Sequence, residues 1–433
     1  MDPKNNSKQE YVKLQESIHS SSLKDFKDWI SLNVHEMEDA YAKNNTRKLY
    51  AIVNKLSRKP KPPPQNLKTD EAGKLLESAE ETAGRWFRFL SEKFKATKAE
   101  SNRQSASIPE YRDPNASLTH KEFDIAVARM QNHKAVGPDG IPAEAIKYCP
   151  AVKDALFQIV VKIWEDEKLP DTLARAKFTM LYKNKGSPND PTKYRCIALL
   201  NHSYKILSRI ILMRLMKQTG GALPDWQSGF RPGRGCRDNT LILRTLTQRM
   251  MQLGKTITLT FIDYSSAFDT VSHKFLDGAL QRAGASNKTR AMFWAVYRSA
   301  SAFTTVNAPN GKKVKSDTFP IRRGVVQGDI TSPLYFILAL DLIMRLHDKV
   351  DDKGVTFGQT MLYILGYADD AVTIDYGDAA GVSRATKRLT AIAIGSKRDA
   401  DMKINMHLQN QRDARAGARS DHRDKSRRGS KGV

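Results

Sequence analysis

Apolar positions recur along this chain at two spacings, and each predicts a kind of element. Between residues 70 and 98, Leu75, Ala79, Ala83, Trp86, Phe87 and Leu90 return every three to four residues, which predicts a helix packed on the body of the protein. A helical segment runs up to Trp164. From Ser203 to Met216, Ile206, Leu207, Ile210 and Ile211 share one helix face, with Lys205 and Arg209 beside it. Asn6 to Tyr50 is polar and reads as helical. Period two governs TITLTFID, residues 256 to 263, where Ile257, Leu259, Phe261 and Asp263 fall on one face of a strand that ends in a carboxylate. KFTMLY is a short strand of the same kind. MLYILGYADDAVTIDY, residues 361 to 376, holds two β-rich runs meeting at Ala368-Asp369-Asp370, a hairpin with two adjacent acids at its turn.

The intervening segments are turns and linkers. KAVGPDGIP, Lys134 to Pro142, concentrates glycine, proline and aspartate in a tight loop. Lys183, Lys185 and Arg195 bracket the polar loop KNKGSPNDPTKY. RKPKPPPQ, residues 58 to 65, reads as a semi-rigid extended linker. Gln411 to Val433 holds eight Lys/Arg and three Asp without apolar periodicity and is expected to be disordered.

Length and charge narrow the class of protein. At about 150 residues per domain, 433 residues make two or three domains. Hydrophobic residues are 40% and charged residues 27%, a globular composition. Lysine and arginine total 71 against 47 acids, so the net charge of +24 points to a polyanionic partner. The longest charge-free apolar run, Leu334 to Leu340, is far short of the ~18 residues of a membrane span. The start MDPKNNSKQE has no apolar secretion core. The expectation is an intracellular protein, nuclear or cytoplasmic. Cys149, Cys196 and Cys236, about 40 residues apart, form neither a disulfide framework nor a zinc pair and are expected to be reduced structural thiols. A catalytic metal would need carboxylates, which favours magnesium over zinc.

Three acids could supply them. Asp263 continues the parity of an apolar face, which is costly unless a metal or a basic partner meets it; a strand-end helix cap is the plainer alternative. Asp369 and Asp370, side by side, repel and raise one another's pKa unless cations hold them. With Asp263 on a neighbouring strand, the three could bind two divalent ions ~4 Å apart and carry phosphoryl transfer. QSGFRPGRGCRD, residues 227 to 238, sets Arg231, Arg234 and Arg237 in a glycine-rich loop, either a solvated turn or a grip on a sugar-phosphate backbone.

FIDYSSAFDTV, RRGVVQGDITSPL and YADD, in that order, resemble the polymerase core of a reverse transcriptase. The flanks KAVGPDGIP, KYRCIALLNHSYKI and QSGFRPGRGCRDN resemble the non-LTR (LINE-like) retrotransposon polymerases, and the likeness runs from about residue 45 to 408. It implies an α+β right-hand polymerase with an antiparallel palm sheet and mixed fingers. The expected division is a helical N-terminal region over 1–105, fingers over 106–255, a palm over 256–408 and a basic tail over 409–433. The resemblance makes Asp263, Asp369 and Asp370 the ligands of two Mg²⁺ ions, with Mn²⁺ as a substitute. Phe268 becomes the aromatic gate against a ribose 2′-hydroxyl. Gln327 and Gly328 become the loop beneath nucleotide and template, with glycine there for close approach to substrate. Lys183 and Arg195 become neutralisers of the triphosphate, and Lys185 competes with Lys183. Two departures stand out: Cys196 replaces a proline or glycine, and Asp329 adds a negative charge expected near the nucleotide. DMKINMHLQN lacks the lysine that should follow it, so the thumb is expected to be missing or incomplete, with an unknown partner supplying thumb or endonuclease. The implied activity is RNA-directed DNA polymerase on an RNA template, a DNA primer and deoxynucleoside triphosphates. The alternative is a catalytically incompetent remnant that only binds nucleic acid.

Overall fold

Two sheets, one mixed and one antiparallel, organise most of the chain. The computed structural model describes residues 3–43, 45–56, 67–96, 117–220, 223–346, 354–378 and 403–410, with scattered positions from 381 to 397. Two compact units emerge, Met1–Pro64 and Gln65–Val433. The first is α1 (Pro3–Ala42) and α2 (Thr46–Leu56), helical as the sequence predicts. The linker expected at 58–65 and the tail beyond 410 lie outside the described residues.

The second unit begins with α3 (Ala79–Lys93), α4 (His120–Ala128), α5 (Ala143–Tyr148), α6 (Pro150–Asp166) and α7 (Asp171–Ala174). Next come β1 (Arg175–Tyr182), β2 (Tyr194–Leu199), α8 (His202–Thr219), α9 (Cys236–Gln252) and β3 (Ile257–Ser265). After β3 follow α10 (Ala267–Thr270), α11 (His273–Arg282), α12 (Asn287–Ser299), β4 (Ser301–Asn307), β5 (Lys313–Lys315) and β6 (Phe319–Pro320). The last elements are α13 (Ser332–Leu346), β7 (Val355–Phe357), β8 (Thr360–Leu362), β9 (Ile364–Tyr367), β10 (Asp370–Tyr376) and β11 (Lys403–Asn410).

The start of α3 is fixed chemically. Ser78 and Glu81 form a reciprocal capping box, so the helix cannot extend back to residue 70 as its apolar spacing suggested. Leu75 pairs instead with Thr69 in an isolated bridge and is 67% exposed. The rest of the stripe holds, and Ala83, Trp86 and Leu90 are buried. This helix was expected with the N-terminal 105 residues, but it lies within the second unit, where Phe94 meets Phe178 of β1 and Phe319 of β6.

The mixed sheet has the order β2-β1-β4-β5, with β6 also on β4. β1 runs antiparallel to β2 and parallel to β4. A parallel pair needs a crossover connection, and here the whole chain from α8 to α12 makes it. This sheet therefore joins strands from both sides of the boundary expected at 255/256. α8 and α13 fill the core behind the sheets: Ile206, Leu207, Ile210, Phe336, Leu340 and Ile343 are at most 1% exposed. The longest apolar run is thus part of a core helix, and no described helix is long and apolar enough to cross a membrane. Of the three thiols, Cys196 is buried while Cys149 and Cys236 are exposed.

The second sheet is antiparallel throughout, in the order β11-β3-β10-β9. β3 packs on both faces. Thr258, Thr260, Ile262 and Tyr264 form one buried face; on the other, Ile257 is fully buried and Leu259 lies against a second core with Leu246, Met250 and Ile374, while Phe261 and Asp263 are exposed.

Candidate active site

The antiparallel sheet gathers the three acids at one end. Ala371 pairs with Ile262, and one step further this register sets Asp370 beside Asp263. β9 and β10 form the expected hairpin, with Tyr367 opposite Asp370 and Ala368-Asp369 at the turn. Asp263 and Asp370 are exposed and Asp369 is half-buried. Burial pushes the Asp369 carboxyl above its usual range. The charges of Asp370 and Asp263 add to that effect, while its own backbone amide and Arg195 oppose it. Asp370 is raised by burial and by Asp263. The three carboxylates therefore share one field. Among the described residues, no group of three or more His, Cys, Asp or Glu is close enough to hold an ion as it stands. The donor chemistry of the three carboxylates suits a hard divalent cation.

Beside the acids, α10 carries Phe268. Its ring stacks on Phe336 with centroids 4.4 Å apart and meets the exposed Phe230 edge-on at 6.3 Å. The next residue, Asp269, is 4% exposed, and its Oδ1 accepts from Gln327 Nε2 at 3.0 Å. The Gln327 carbonyl accepts from the Ala198 amide at 2.7 Å, fastening this loop to β2. Gly328 has φ +120°, and a Cβ there would stand 2.5 Å from the Ala198 carbonyl. Contact with β2 thus by itself requires glycine at this position. The expectation for Asp329 is corrected. It is 5% exposed and its carboxylate is taken up inside the protein, accepting from Tyr204 Oη at 2.9 Å, from Thr331 Oγ1 at 2.8 Å and from Ser208 Oγ.

A group of cations lies on the other side of Asp269. Lys93, at the end of α3, places Nζ 2.7 Å from Asp269 Oδ2. Lys183 donates to the Thr192 carbonyl at 3.2 Å, and partial burial together with Lys93 and Arg195 holds its pKa down. Arg195 is exposed in β2 opposite Leu181. Lys183 and Lys185 are both exposed, and the charge of Lys183 meets those of Lys93, Arg195 and Asp269.

The family described as reverse transcriptase (RNA-dependent DNA polymerase) matches residues 182–406, more than half of the chain. The chain belongs to the reverse transcriptase family. Its relatives are polymerases of non-LTR retroelements, as the motifs implied. It is 30% identical over 261 residues to a Pol polyprotein of the type-1 retrotransposable element R2 from Popillia japonica, covering 60% of this chain and 35% of that protein. It is 27% identical over 275 residues to the RNA-directed DNA polymerase from mobile element jockey of Drosophila melanogaster, covering 60% and 28%. With the Pol polyprotein of R2DM from the same fly, identity is 26% over 254 residues, covering 58% and 23%. The chain thus spans about a third or less of these relatives.

In this chain the arginine loop is partly occupied by its own bonds. Arg231 donates to the Pro224 carbonyl, and Arg234 donates to the Asp225 carbonyl at 2.6 Å and carboxylate at 2.8 Å. Arg237 is exposed in the first turn of α9. Sequence reasoning missed Lys93 and Asp269. Lys93 sits in a helix assigned to another region, and Asp269 reads as an ordinary residue of a short helix. The available signal was a charge at the end of an otherwise apolar helix face, too common to single out.

Proposed function

We propose that this reverse transcriptase is an RNA-directed DNA polymerase that adds deoxynucleotides to a DNA primer on an RNA template by two-metal-ion catalysis. The carrying observation is the register of β3 against β10, which brings Asp263 beside the Asp369-Asp370 turn within one electrostatic field. Bound Mg²⁺, or Mn²⁺ in its place, would offset that repulsion, lower the pKa of the primer 3′-hydroxyl and neutralise the leaving pyrophosphate. The three aspartates hold the ions. Lys183 and Arg195 meet the triphosphate, and Arg237 with its loop follows the nucleic-acid backbone. Phe268, braced on Phe336, presents its ring edge to the sugar. Gln327 and Gly328 line the floor through their anchor on β2. In this reading residues 106–255 act as fingers and 256–408 as palm.

The test is primer extension on a short RNA template with Mg²⁺ and deoxynucleotides. Asp369→Asn is expected to lower extension by ~3 orders of magnitude, since it removes an ion ligand, while template-primer affinity stays within about threefold. A chain that binds template-primer in a salt-sensitive way but never extends it would be a remnant that only binds nucleic acid.

A further inference from the structure

Ala368 precedes the two acids at the point of the β9–β10 turn, with φ +58°. In this left-handed region a Cβ is crowded, and residues other than glycine remain there only when their surroundings hold them. The restraint comes from Gln227, which is fully buried. Its Nε2 donates to the Ala368 carbonyl at 3.0 Å, and its Oε1 accepts from the Ala368 amide at 2.9 Å and from the Gly229 amide at 2.8 Å. One side-chain amide thus satisfies both backbone polar groups of the strained residue.

The neighbouring chain reinforces the grip. The Ser228 amide donates to the Gly366 carbonyl at 2.8 Å, and the Gly366 amide donates to the Trp226 carbonyl at 2.8 Å. Asn239 Nδ2 reaches the same Gly366 carbonyl at 2.9 Å. Gly229 lies so close beneath the turn that a Cβ would stand 2.2 Å from the Ala368 nitrogen. The loop read from sequence as an arginine grip therefore has a second face, turned toward the acids.

We infer that Gln227 is a positioning residue for polymerisation, an assignment that rests on the polymerase reading for its catalytic consequence. By holding Ala368 left-handed, it fixes the direction in which the next two residues leave the turn, and so aims Asp369 and Asp370 at Asp263. If Ala368 relaxed to an ordinary conformation, the following peptide plane would rotate and carry both carboxylates with it.

Two measurements on the full chain test the role, using Gln227→Ala, Gln227→Glu and the double variant Gln227→Ala with Ala368→Gly. Amide hydrogen exchange over residues 366–370 needs no activity. Gln227→Ala is expected to raise exchange there by about tenfold, with amides of β1 and β4 unchanged as the sign of an intact fold. Unchanged exchange at 366–370 overturns the role whatever the activity. In primer extension, Gln227→Ala is expected to lower kcat by about 10–100-fold, with deoxynucleotide KM and template-primer affinity within about threefold. Gln227→Glu keeps the shape but sets an anion against the Ala368 carbonyl, and is expected to lose kcat with β1 and β4 protection retained. Adding Ala368→Gly to Gln227→Ala is expected to restore kcat by about threefold or more, because glycine takes the left-handed conformation unaided. A double variant no faster than Gln227→Ala, or wild-type kcat in Gln227→Ala, overturns the inference. A wild-type chain that never extends a primer counts against the polymerase reading alone, and the exchange result then decides the role of Gln227.

Discussion

Asp269 has almost no contact with water, yet Lys93 and Gln327 both reach it. Burial draws the Lys93 ammonium toward neutrality, but the Asp269 carboxylate outweighs it and the pKa is raised. The Lys93 ammonium therefore stays charged throughout the neutral range. Lys93→Ala would leave a buried carboxylate with only an amide partner. It is expected to cost about 3–5 kcal/mol in denaturant unfolding, much of it recovered when Asp269→Asn is added. One residue back, Phe268→Ala opens the space beside Phe336, and it is expected to raise ribonucleotide incorporation by about tenfold or more relative to deoxynucleotides. Competitive single-nucleotide extension measures this; retained selectivity would remove the gate role. At this scale the sequence was uneven. Phe268 and the three acids were legible because they lie in the short stretches FIDYSSAFDTV and YADD, whose order along the chain carries the resemblance. Lys93 and Gln227 were not, because their partners Asp269 and Ala368 lie far away in the chain.

Between elements, Glu122 links α4 to α8. It completes a capping box with Thr119 and accepts a two-point contact from Arg214, at 2.7 and 2.8 Å. Arg214 also lies 4.4 Å over the Trp164 ring of α6. The Arg214 contact, with help from Thr119 and against burial, lowers the Glu122 pKa from 4.5 to about 2. A depressed folded pKa contributes stability that is fully present above pH 4.5 and is lost as pH falls from 4.5 toward 2. Because the carboxylate is partly exposed, the contribution is about 1–2 kcal/mol, less than the full shift would give. Glu122→Gln is expected to flatten the stability curve of the chain in that window, measured by denaturant unfolding at stepped pH. Such elements were legible where pattern and capping agree, as in α4 and α8. They were misjudged where periodicity ran past a cap, as at Leu75.

For the molecule as a whole, +24 of net charge was the clearest sequence signal, and it bears on binding rather than chemistry. The logarithm of the template-primer association constant is expected to fall linearly against log salt concentration, with a slope of about −0.9 per neutralised duplex phosphate. Arg237→Ala is expected to make that slope shallower by about one, as read from anisotropy titrations between low and moderate salt. An unchanged slope would leave Arg237 a solvated surface residue. The division into units was only partly legible, because the parallel pairing of β1 with β4 joins segments that hydrophobic periodicity cannot connect.

The place of β3 in its sheet has a further consequence for synthesis. It lies between β10 and β11, both of which leave the ribosome long after it. The strand bearing Asp263 thus emerges with two bare edges, an invitation to pair with the wrong partner. All three acids have been translated by Asp370, but the outer edge of β3 stays open until Lys403–Asn410 arrives. For the nascent chain, possession of the three acids and protection of the strand that carries the first of them are separate events, and protection comes last.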